Sequence, residues 1–330
     1  MTLKRILGMA GAAFVLAGPA QAQGQTQSQP YPSRPVKIIV PFTPGGATDA
    51  VARQLAGRLA ARLGQPFIVE NRPGAATVIG AQAAADATPD GYTLMLSGSS
   101  TYTVVPALKK QLPYDPLKSY APIAIVALAP VVLVAKNDLP VRNAAELADL
   151  ARQRSQSRAL MYGTFGAGSA PHLAGEMVAQ AARATLVPVP YKGSAQLITA
   201  LIGGEIDLGV DTVSSAAPHI VAGKVRAIAV TGSQRAAQLP DVPTFAEAGM
   251  PSVSMIGWYG LVAPADTPAA VRTTLEQAVA GIMGDAELRK AFAALALQPV
   301  SLGPDAFRKQ VAEELKVFGD IGERAKISLD

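Results

Sequence analysis

The sequence predicts an α/β fold, and three observations support that prediction. Strand-like apolar runs alternate with helical patterns along most of the chain, which is typical of α/β proteins. The chain has 330 residues, 49% of them hydrophobic, which is enough for one large domain or two medium ones. The alternation also restarts in the second half without repeating the sequence of the first half, so we expect two α/β units.

The first unit begins with a strand predicted at residues 36–42, and the helix after it begins near Asp49. Valine and leucine recur every four residues between positions 51 and 63, which places them on one face of that helix. The next elements are predicted to be a strand at 67–70, an Ala-rich helix ending near Asp86 and a strand at 92–98.

Residues 120–138 are the most apolar stretch beyond the N-terminal segment. Pro122 and Pro130 interrupt this stretch, and it is too short to span a membrane, so a pair of buried strands is predicted. We expect the chain to cross from the first unit to the second near residues 126–129.

The second unit continues the alternation. Helices are predicted at 145–153, 171–182, 194–204 and 217–223, and strands at 158–163, 187–191, 206–211 and 225–231. After a Pro- and Gly-rich segment come a strand at 258–264 and amphipathic helices at 267–283 and 305–322. These last helices are too few for a third domain, so lobe 1 is predicted to comprise 34–127 and 256–330, and lobe 2 to comprise 128–255.

The N-terminus has the pattern of a secretory signal peptide over residues 1–22. Lys4 and Arg5 precede an uncharged apolar stretch, and an A-x-A cleavage site ends at Ala22. The alternative is a membrane anchor, but the apolar stretch is shorter than the roughly 20 residues that span a bilayer. Residues 23–33 are polar and are predicted to form a flexible leader. Because the chain has no cysteine, neither lipid attachment nor a disulfide is expected, and the prediction is a soluble periplasmic protein.

Composition argues against several classes of function. The net charge is +5, but the basic residues are scattered, so nucleic-acid binding is not predicted. His172 and His219 are the two histidines, and with no cysteine a metal site has little support. The phosphate-binding motifs G-x-x-x-x-G-K-[ST] and G-x-G-x-x-G are absent from the first turn. We therefore expect no metal and no cofactor.

A Pro-Gly-Gly turn separates the first predicted strand from its helix. Gly45 and Gly46 permit backbone angles that other residues rarely adopt, Thr48 stands where an N-cap belongs, and Asp49 falls in the first helical turn. Free N–H groups at the positive end of a helix dipole suit a carboxylate or a phosphate. The alternative is a tight turn before a capped helix, without a ligand.

The second unit repeats this design in "YGTFGAGSAPHLAGE". Glycines at 163, 166 and 168 precede Ser169 as the predicted N-cap and Pro171 as the predicted first helical residue. Two such turns could present two helix N-termini to a shared cleft and clamp a carboxylate from both sides.

Polar residues follow other predicted strands as well. Tyr191 and Lys192 end one strand, and either a ligand contact or a solvated charge fits Lys192. Asp211 stands at a strand end, where ligands gather in α/β sheets, and could bind a ligand amine or cap the next helix. A solvated turn or a set of hydroxyl donors is predicted for "LSGSSTYTVVP", with Ser97, Ser99, Ser100 and Thr101.

One catalytic alternative is an exported hydrolase that uses Ser169 with His172. The chain has no G-x-S-x-G elbow around this serine, and the acid partner of such a pair is unidentified. A histidine that caps or lines the turn is the preferred interpretation.

In this order the segments resemble the Bug family, the TctC-like substrate-binding proteins of tripartite tricarboxylate transporters. The resemblance is carried by "VKIIVPFTPGGATDAVARQLAGRL", "VENRPGAATVIGAQAAADATPDGYTLML", "YGTFGAGSAPHLAGE", "VPYKGSAQLITALIGGEIDLGVD", "GKVRAIAVTGSQRAAQLPDVPTFAEAG" and "WYGLVAPADTP". It implies a type II periplasmic-binding-protein fold, in which two α/β lobes joined by two crossover strands close on a small carboxylic acid like a Venus flytrap.

The resemblance also implies the site residues, since both turns grip a carboxylate in the family. The implied ligand contacts are Phe42, Thr43, Gly45, Gly46 and Asp49 in lobe 1 and Gly163, Gly168, Ser169 and His172 in lobe 2, with Tyr191 and Asp211 as wall residues. Ser99 and Thr101 are included after the third strand. Many relatives carry Asn-Pro beyond this strand, whereas this chain has Val105-Pro106, so an amide that would order the loop is missing.

The predicted function is therefore that of a periplasmic solute-binding protein and not of an enzyme. Its expected partners are a small carboxylate and the membrane subunits of a tripartite tricarboxylate-type transporter, and it is expected to be a monomer. The exported serine hydrolase and a ligand-sensing subunit for a histidine kinase stay open as alternatives.

Overall fold

In the computed structural model, which describes residues 31–166 and 168–329, strands and helices alternate along the chain. The strands are β1 (Val36–Val40), β2 (Phe67–Asn71), β3 (Thr93–Gly98), β4 (Tyr120–Ala135), β5 (Leu160–Thr164), β6 (Leu186–Pro190), β7 (Leu208–Thr212), β8 (Arg226–Val230), β9 (Ile256–Pro264) and β10 (Gln298–Leu302). The helices are α1 (Ala47–Leu63), α2 (Val78–Ala85), α3 (Val105–Leu108), α4 (Ala144–Arg154), α5 (Ala170–Ala182), α6 (Ser194–Ile202), α7 (Val213–Val221), α8 (Ala269–Ile282), α9 (Ala286–Ala294) and α10 (Pro304–Ala325). The predicted signal peptide lies outside the described residues.

Residues 31–33, which were predicted to belong to the flexible leader, are packed against the first half of the sheet. The hydroxyl of Tyr31 donates to the carbonyl of Gly91 at 2.6 Å. The rings of Tyr31 and Tyr92 meet edge to face with centroids 5.2 Å apart. Packing against the sheet therefore includes at least the three residues before position 34, where the sequence placed the start of the fold.

The strands form a sheet in the order β2-β1-β3-β9-β4-β7-β5-β6, and β8 and β10 also pair with β4. β1 runs parallel to β2 and β3, and β5 runs parallel to β6 and β7. Between these two parallel groups, β4 and β9 run antiparallel to each other. Two parallel units joined by two long crossing strands are the predicted α/β architecture, which is thereby confirmed.

β4 differs from its prediction, because residues 120–135 form one strand of 16 residues and not a pair. The strand pairs with β9 through Pro130 and with β7 from Val131 onward. The register shifts beside Pro122, so the ladder is already interrupted where this residue has no N–H to donate. The change of partner lies close to the predicted crossing at 126–129, and the lobe boundaries themselves stay a prediction.

Separate hydrophobic cores lie on the two sides of this crossing. Leu55 of α1 and Leu94 of β3 belong to the first core, and Leu147 of α4 and Leu173 of α5 belong to the second. Each fully buried leucine contributes about 1.5–3 kcal/mol relative to exposure in water. The two cores therefore stabilise the two halves of the sheet largely through different residues.

α10 contacts both halves of the molecule. Phe307 and Val311 pack with Trp258 in a cluster on the first half, whereas Phe318 and Ile321 pack in the second core. Their spacing places all four side chains along one face of the helix. The sequence assigned this helix to lobe 1 alone, and its C-terminal half instead packs against the core of the other half.

The sequence prediction missed α9 and β10, which lie between α8 and α10. Asp285 caps α9 by accepting a hydrogen bond from the amide of Leu288 at 2.7 Å. β10 then pairs antiparallel with β4 at the edge of the crossing. Across 31–166 and 168–329, the helices include none with the length and apolar character needed to cross a membrane.

Candidate functional site

A cavity of about 260 Å³ lies where the two halves of the sheet meet. It is bounded by the last residues of β3 and β7, the middle of β4, the beginning of β9 and the first residues of α1 and α5. The lining residues are Phe42, Thr48, Gly98, Ser99, Ser100, Val104, Ala129, Val131, Phe165, Ser169, Ala170, Pro171, Thr212, Gly257, Trp258 and Tyr259. Because both glycine-rich turns contribute to the wall, the expected shared cleft is present.

The first turn differs in detail from its prediction. α1 begins at Ala47 with Gly46 in the N-cap position, so Thr48 is the second helical residue and not the N-cap. Gly45 has a φ of 87°, in the left-handed region that favours glycine. With the N-cap two positions earlier, the Thr48 side chain lies in the first helical turn and reaches the cavity, where the residue is only 7% exposed.

The amide at the tip of the first turn is occupied by a side chain of the protein itself. Asp49 accepts a hydrogen bond from the amide of Gly45 at 3.0 Å, from Arg53 at 2.9 Å and from the side-chain amide of Asn71 at 3.0 Å. The hydrogen bond from Arg53 is the largest cause that lowers the pKa of Asp49 to about 2, and the amides act in the same direction. Asp49 is thus a carboxylate that holds the turn, and it does not line the cavity.

The second turn is also held internally. Ser169 is the N-cap of α5, as predicted, and its hydroxyl accepts from the amide of His172 at 3.3 Å and donates to the carbonyl of Gly166 at 2.7 Å. Pro171 is the second helical residue and not the first. The amide of Gly168, where φ is 71°, donates to Nδ1 of His172 at 3.1 Å.

His172 is a neutral imidazole in this arrangement. Its Nδ1 must be unprotonated to accept from the amide of Gly168, and burial lowers the pKa of the ring below its ordinary value of 6.5. Its Nε2 lies 3.9 Å from Glu176. The contact between Ser169 and His172 runs through the His172 amide and not through the ring, so the hydrolase geometry is not supported.

Two further predicted contacts, Gly163 and Asp211, do not line the cavity. A Cβ on Gly163 would lie 2.7 Å from Leu197 and 2.8 Å from Ile206, so this glycine serves close packing. Asp211 is fully buried, and its carboxylate accepts from the hydroxyl of Ser194 and from the amide of Thr212. Burial raises the pKa of Asp211, and the neighbouring Thr212 is the residue that reaches the cavity.

The other predicted contacts divide in the same way. Phe42, Ser99 and Ser169 line the cavity, whereas Tyr191 packs against the apolar cluster beside β7. The remaining predicted contacts outside the lining are Thr43, Gly45, Gly46, Thr101, Gly168 and His172.

The hydroxyl-rich segment after β3 is a buried helical turn and not a solvated one. Ser100–Val104 form a single π-helical turn that continues into α3. Ser97 and Thr101 share a hydrogen bond of 2.5 Å away from the cavity. Ser99 and Ser100 face the cavity instead, and their hydroxyls have no partner among the described residues.

The sequence reasoning missed the contribution of β9. Gly257, Trp258 and Tyr259 lie on this strand, which pairs with β3 on one side and β4 on the other. The indole nitrogen of Trp258 donates to Glu314 of α10 at 2.9 Å. Burial raises the pKa of Tyr259 to about 12, so its hydroxyl stays protonated. Trp258 and Tyr259 stand in the predicted strand "WYGLVAP", but their position beside the cavity depends on the pairing of β9 with β3 and β4.

The described residues contain no cluster of three or more His, Asp or Glu side chains that could hold a metal ion. Two α/β halves, two crossing strands and a cavity between them define a two-lobed solute-binding protein.

Comparison with known sequences gives the family. Residues 51–327 match the model of the "Tripartite tricarboxylate transporter family receptor", or TctC, and the chain belongs to this family of periplasmic solute-binding proteins.

Individual relatives agree over nearly the whole chain. Protein BugT of Bordetella pertussis is 34% identical over 322 residues, which are 97% of each chain. The structure of Rpa4515 from R. palustris with adipate is 32% identical, with a TM-score of 0.75 over 90% of this chain and 99% of that one. MatC from Rhodopseudomonas palustris with bound malate is 31% identical, with a TM-score of 0.72 over 88% and 99%.

Proposed function

We propose that this protein captures a small carboxylic acid in the cavity between its lobes and delivers it to a membrane transporter of the tripartite tricarboxylate type. Membership of the TctC family supports this role, and so do the relatives named with adipate and malate. The observation that carries it is a set of hydroxyl donors, on Thr48, Ser99 and Ser100, that face the cavity and have no partner among the described residues. Such donors suit a carboxylate, which accepts several hydrogen bonds.

The predicted ligand contacts enter the proposal in two roles. Phe42, Ser99 and Ser169 contact the ligand directly, because they line the cavity. Asp49 and His172 hold the two turns and act on the ligand through them. Thr48 and Ser100 join the first group, although the prediction did not include them.

Export, oligomeric state and lack of catalysis belong to the same proposal. Residues 1–22 direct the chain to the periplasm, and the mature protein works there as a monomer with lobe 1 at 34–127 and 256–330 and lobe 2 at 128–255. It is not an enzyme. Ser169 contacts the amide of His172 and not its ring, which supports the lack of catalysis. The histidine-kinase sensor is not favoured, since the matching family is one of transporter receptors.

Thermal unfolding of residues 23–330 tests this function. Carboxylic acids, including adipate and malate, are each compared with the corresponding uncharged amide after bound solute has been stripped by unfolding and refolding. An acid at about a hundred times its dissociation constant should add about 2.7 kcal/mol to the free energy of unfolding by mass action, and its amide far less.

Two matched variants localise the effect. Ser99→Ala should weaken the acid-induced shift, because it removes a hydroxyl that faces the cavity. Ser301→Ala, on the exposed surface of β10, should leave the shift unchanged. The proposal fails if no acid stabilises the protein, or if both variants respond like the wild type.

A further inference from the structure

The cavity is uncharged, and this bears on which acids it can take. Among the described residues that line it, none is acidic or basic. The ionisable groups nearest in sequence to the lining are Asp49, His172 and Asp211. Asp49 is held by Arg53, His172 is neutral, and Asp211 is buried against Ser194. The described lining thus holds no cation to balance a second carboxylate.

Aromatic side chains form a large part of the wall. Phe42 and Tyr259 come from the first half of the sheet, and Phe165 comes from the turn after β5 in the second half. Trp258 lies beside them, with its ring stacked on Tyr102 at a centroid distance of 5.4 Å. Val104, Val131, Ala129 and Pro171 complete the apolar surface.

The hydroxyls without a partner are gathered on one side of this wall, since those of Ser169 and Thr212 on the other side are bonded within the protein. Thr48, Ser99 and Ser100 all belong to the first half of the sheet, at the start of α1 and the end of β3. Ser99 is 93% buried, since only 7% of its surface is exposed, and its hydroxyl has no partner among the described residues. A buried hydroxyl of this kind gains a hydrogen bond when a carboxylate oxygen reaches it.

The second half of the sheet offers the cavity few donors. Pro171 has no N–H, and the amides of Gly168 and His172 are already bonded within the turn. Ser169 donates its hydroxyl hydrogen to the carbonyl of Gly166. The N–H of Ala170, the first residue of α5, has no partner among the described residues, so a carboxylate on this side would regain one hydrogen bond against three at Thr48, Ser99 and Ser100.

We propose that the cavity takes an acid with a single carboxylate on an apolar, ring-sized body. The carboxylate binds at Thr48, Ser99 and Ser100, and the body lies against Phe165 and Tyr259. The cavity volume of about 260 Å³ is below the range of about 300–1,000 Å³ that drug-sized ligands occupy, which fits one ring. This inference rests on the proposed function, of which it narrows the ligand class.

Calorimetric titration of residues 23–330 with benzoate, cyclohexanecarboxylate, adipate, acetate and benzamide tests the inference. Benzoate or cyclohexanecarboxylate should bind about tenfold or more tightly than adipate and acetate, because an apolar body of this size adds transfer energy that the smaller or doubly charged acids lack. Benzamide should bind more weakly than benzoate, because it lacks the carboxylate.

Variants of Phe165 locate the body of the ligand. Phe165→Ser should weaken binding of the ring acids about tenfold and leave adipate binding little changed, because it removes apolar contact area only. Phe165→Leu keeps an apolar side chain and should stay within about threefold of the wild type. The unfolding temperature of each variant without ligand shows whether the turn itself has been disturbed.

The outcomes separate this inference from the function on which it rests. If adipate binds more tightly than every monocarboxylate, the inference is overturned and the proposed function stands. If Phe165→Ser and Phe165→Leu both bind ring acids like the wild type, the placement of the body is wrong. If no acid binds, the proposed function fails together with the inference.

Discussion

The two glycine-rich turns have the same layout in sequence, but the protein completes them with opposite chemistry. In the first turn the amide of Gly45 meets an ionised carboxylate, that of Asp49. In the second turn the amide of Gly168 meets a neutral imidazole, that of His172. Both helix N-termini are therefore partly satisfied by the chain itself. A glycine-rich turn before a helix predicts donors, but only the side chains nearby decide how many are left for a ligand.

The difference also divides the cavity into two chemically distinct sides. The first turn leaves Thr48 facing the cavity with a hydroxyl that has no partner among the described residues. The second turn presents Ala170 and Pro171, and its one lining hydroxyl, on Ser169, is used in capping α5. The hydroxyls without a partner therefore lie on the side of the first half, whereas the second turn contributes mainly apolar surface.

The largest effect is expected from Asp49→Ala, which removes the carboxylate from the first turn. The variant leaves Gly45, Arg53 and Asn71 without their shared acceptor, so the free energy of unfolding should fall by about 2–3 kcal/mol. Urea unfolding of residues 23–330 measures the change. An unfolding midpoint equal to that of the wild type would show that the turn does not depend on its carboxylate.

Ser169→Ala should have a smaller effect, because it removes an N-cap and no charge. The amide of His172 loses its capping partner, which costs about 1 kcal/mol. Ser301→Ala on the exposed surface of β10 is the matched control and should change the free energy of unfolding very little. Equal midpoints for the two variants would contradict the capping role of Ser169.

The smallest effect concerns pH and distinguishes the two turns without changing a cavity residue. The folded state lowers the pKa of His172, so it binds fewer protons than the unfolded chain, and stability should fall as the pH drops below the ordinary histidine value of 6.5. His172→Gln should reduce this slope, and His219, which is present in both proteins, cancels in the comparison. Urea unfolding at a series of pH values measures the two slopes.

The first turn should respond to pH in a different window. The pKa of Asp49 is lowered to about 2 in the folded state, so its stabilising contribution is complete above the ordinary aspartate value of 3.8 and is lost as the pH falls toward 2. For the second turn, the contradicting result is a fall in the free energy of unfolding below pH 6.5 that is the same in His172→Gln as in the wild type. The second turn would then not depend on a neutral imidazole.

Local patterns predicted the features that depend on near neighbours in sequence. The alternation of strands and helices gave the α/β class, and Ser169 was recognised as an N-cap because it directly precedes "APHLAGE". Thr48 was misplaced by two positions, since Gly46 takes the N-cap without a side-chain bond and leaves no signal to read. Helix starts without a capping side chain are hard to place from sequence.

The rest of the site depends on distant pairing. In the sequence, the prolines of β4 indicate an interrupted strand. In the structure, a register shift lets Pro122 remain within one continuous strand. Trp258 and Tyr259 border the cavity only because β9 pairs with both β3 and β4. Single-sequence periodicity indicates which side chains are buried, but not which strands become neighbours.

Trp258 is the one tryptophan in the chain, and this gives the protein a built-in optical reporter. Trp258 borders the cavity, its ring lies parallel to that of Tyr102 within 6°, and the residue is 1% exposed. Its nitrogen is bonded to α10, the helix that contacts both cores. The tryptophan emission of the whole molecule thus originates beside the cavity, and fluorescence can follow changes there without an attached dye.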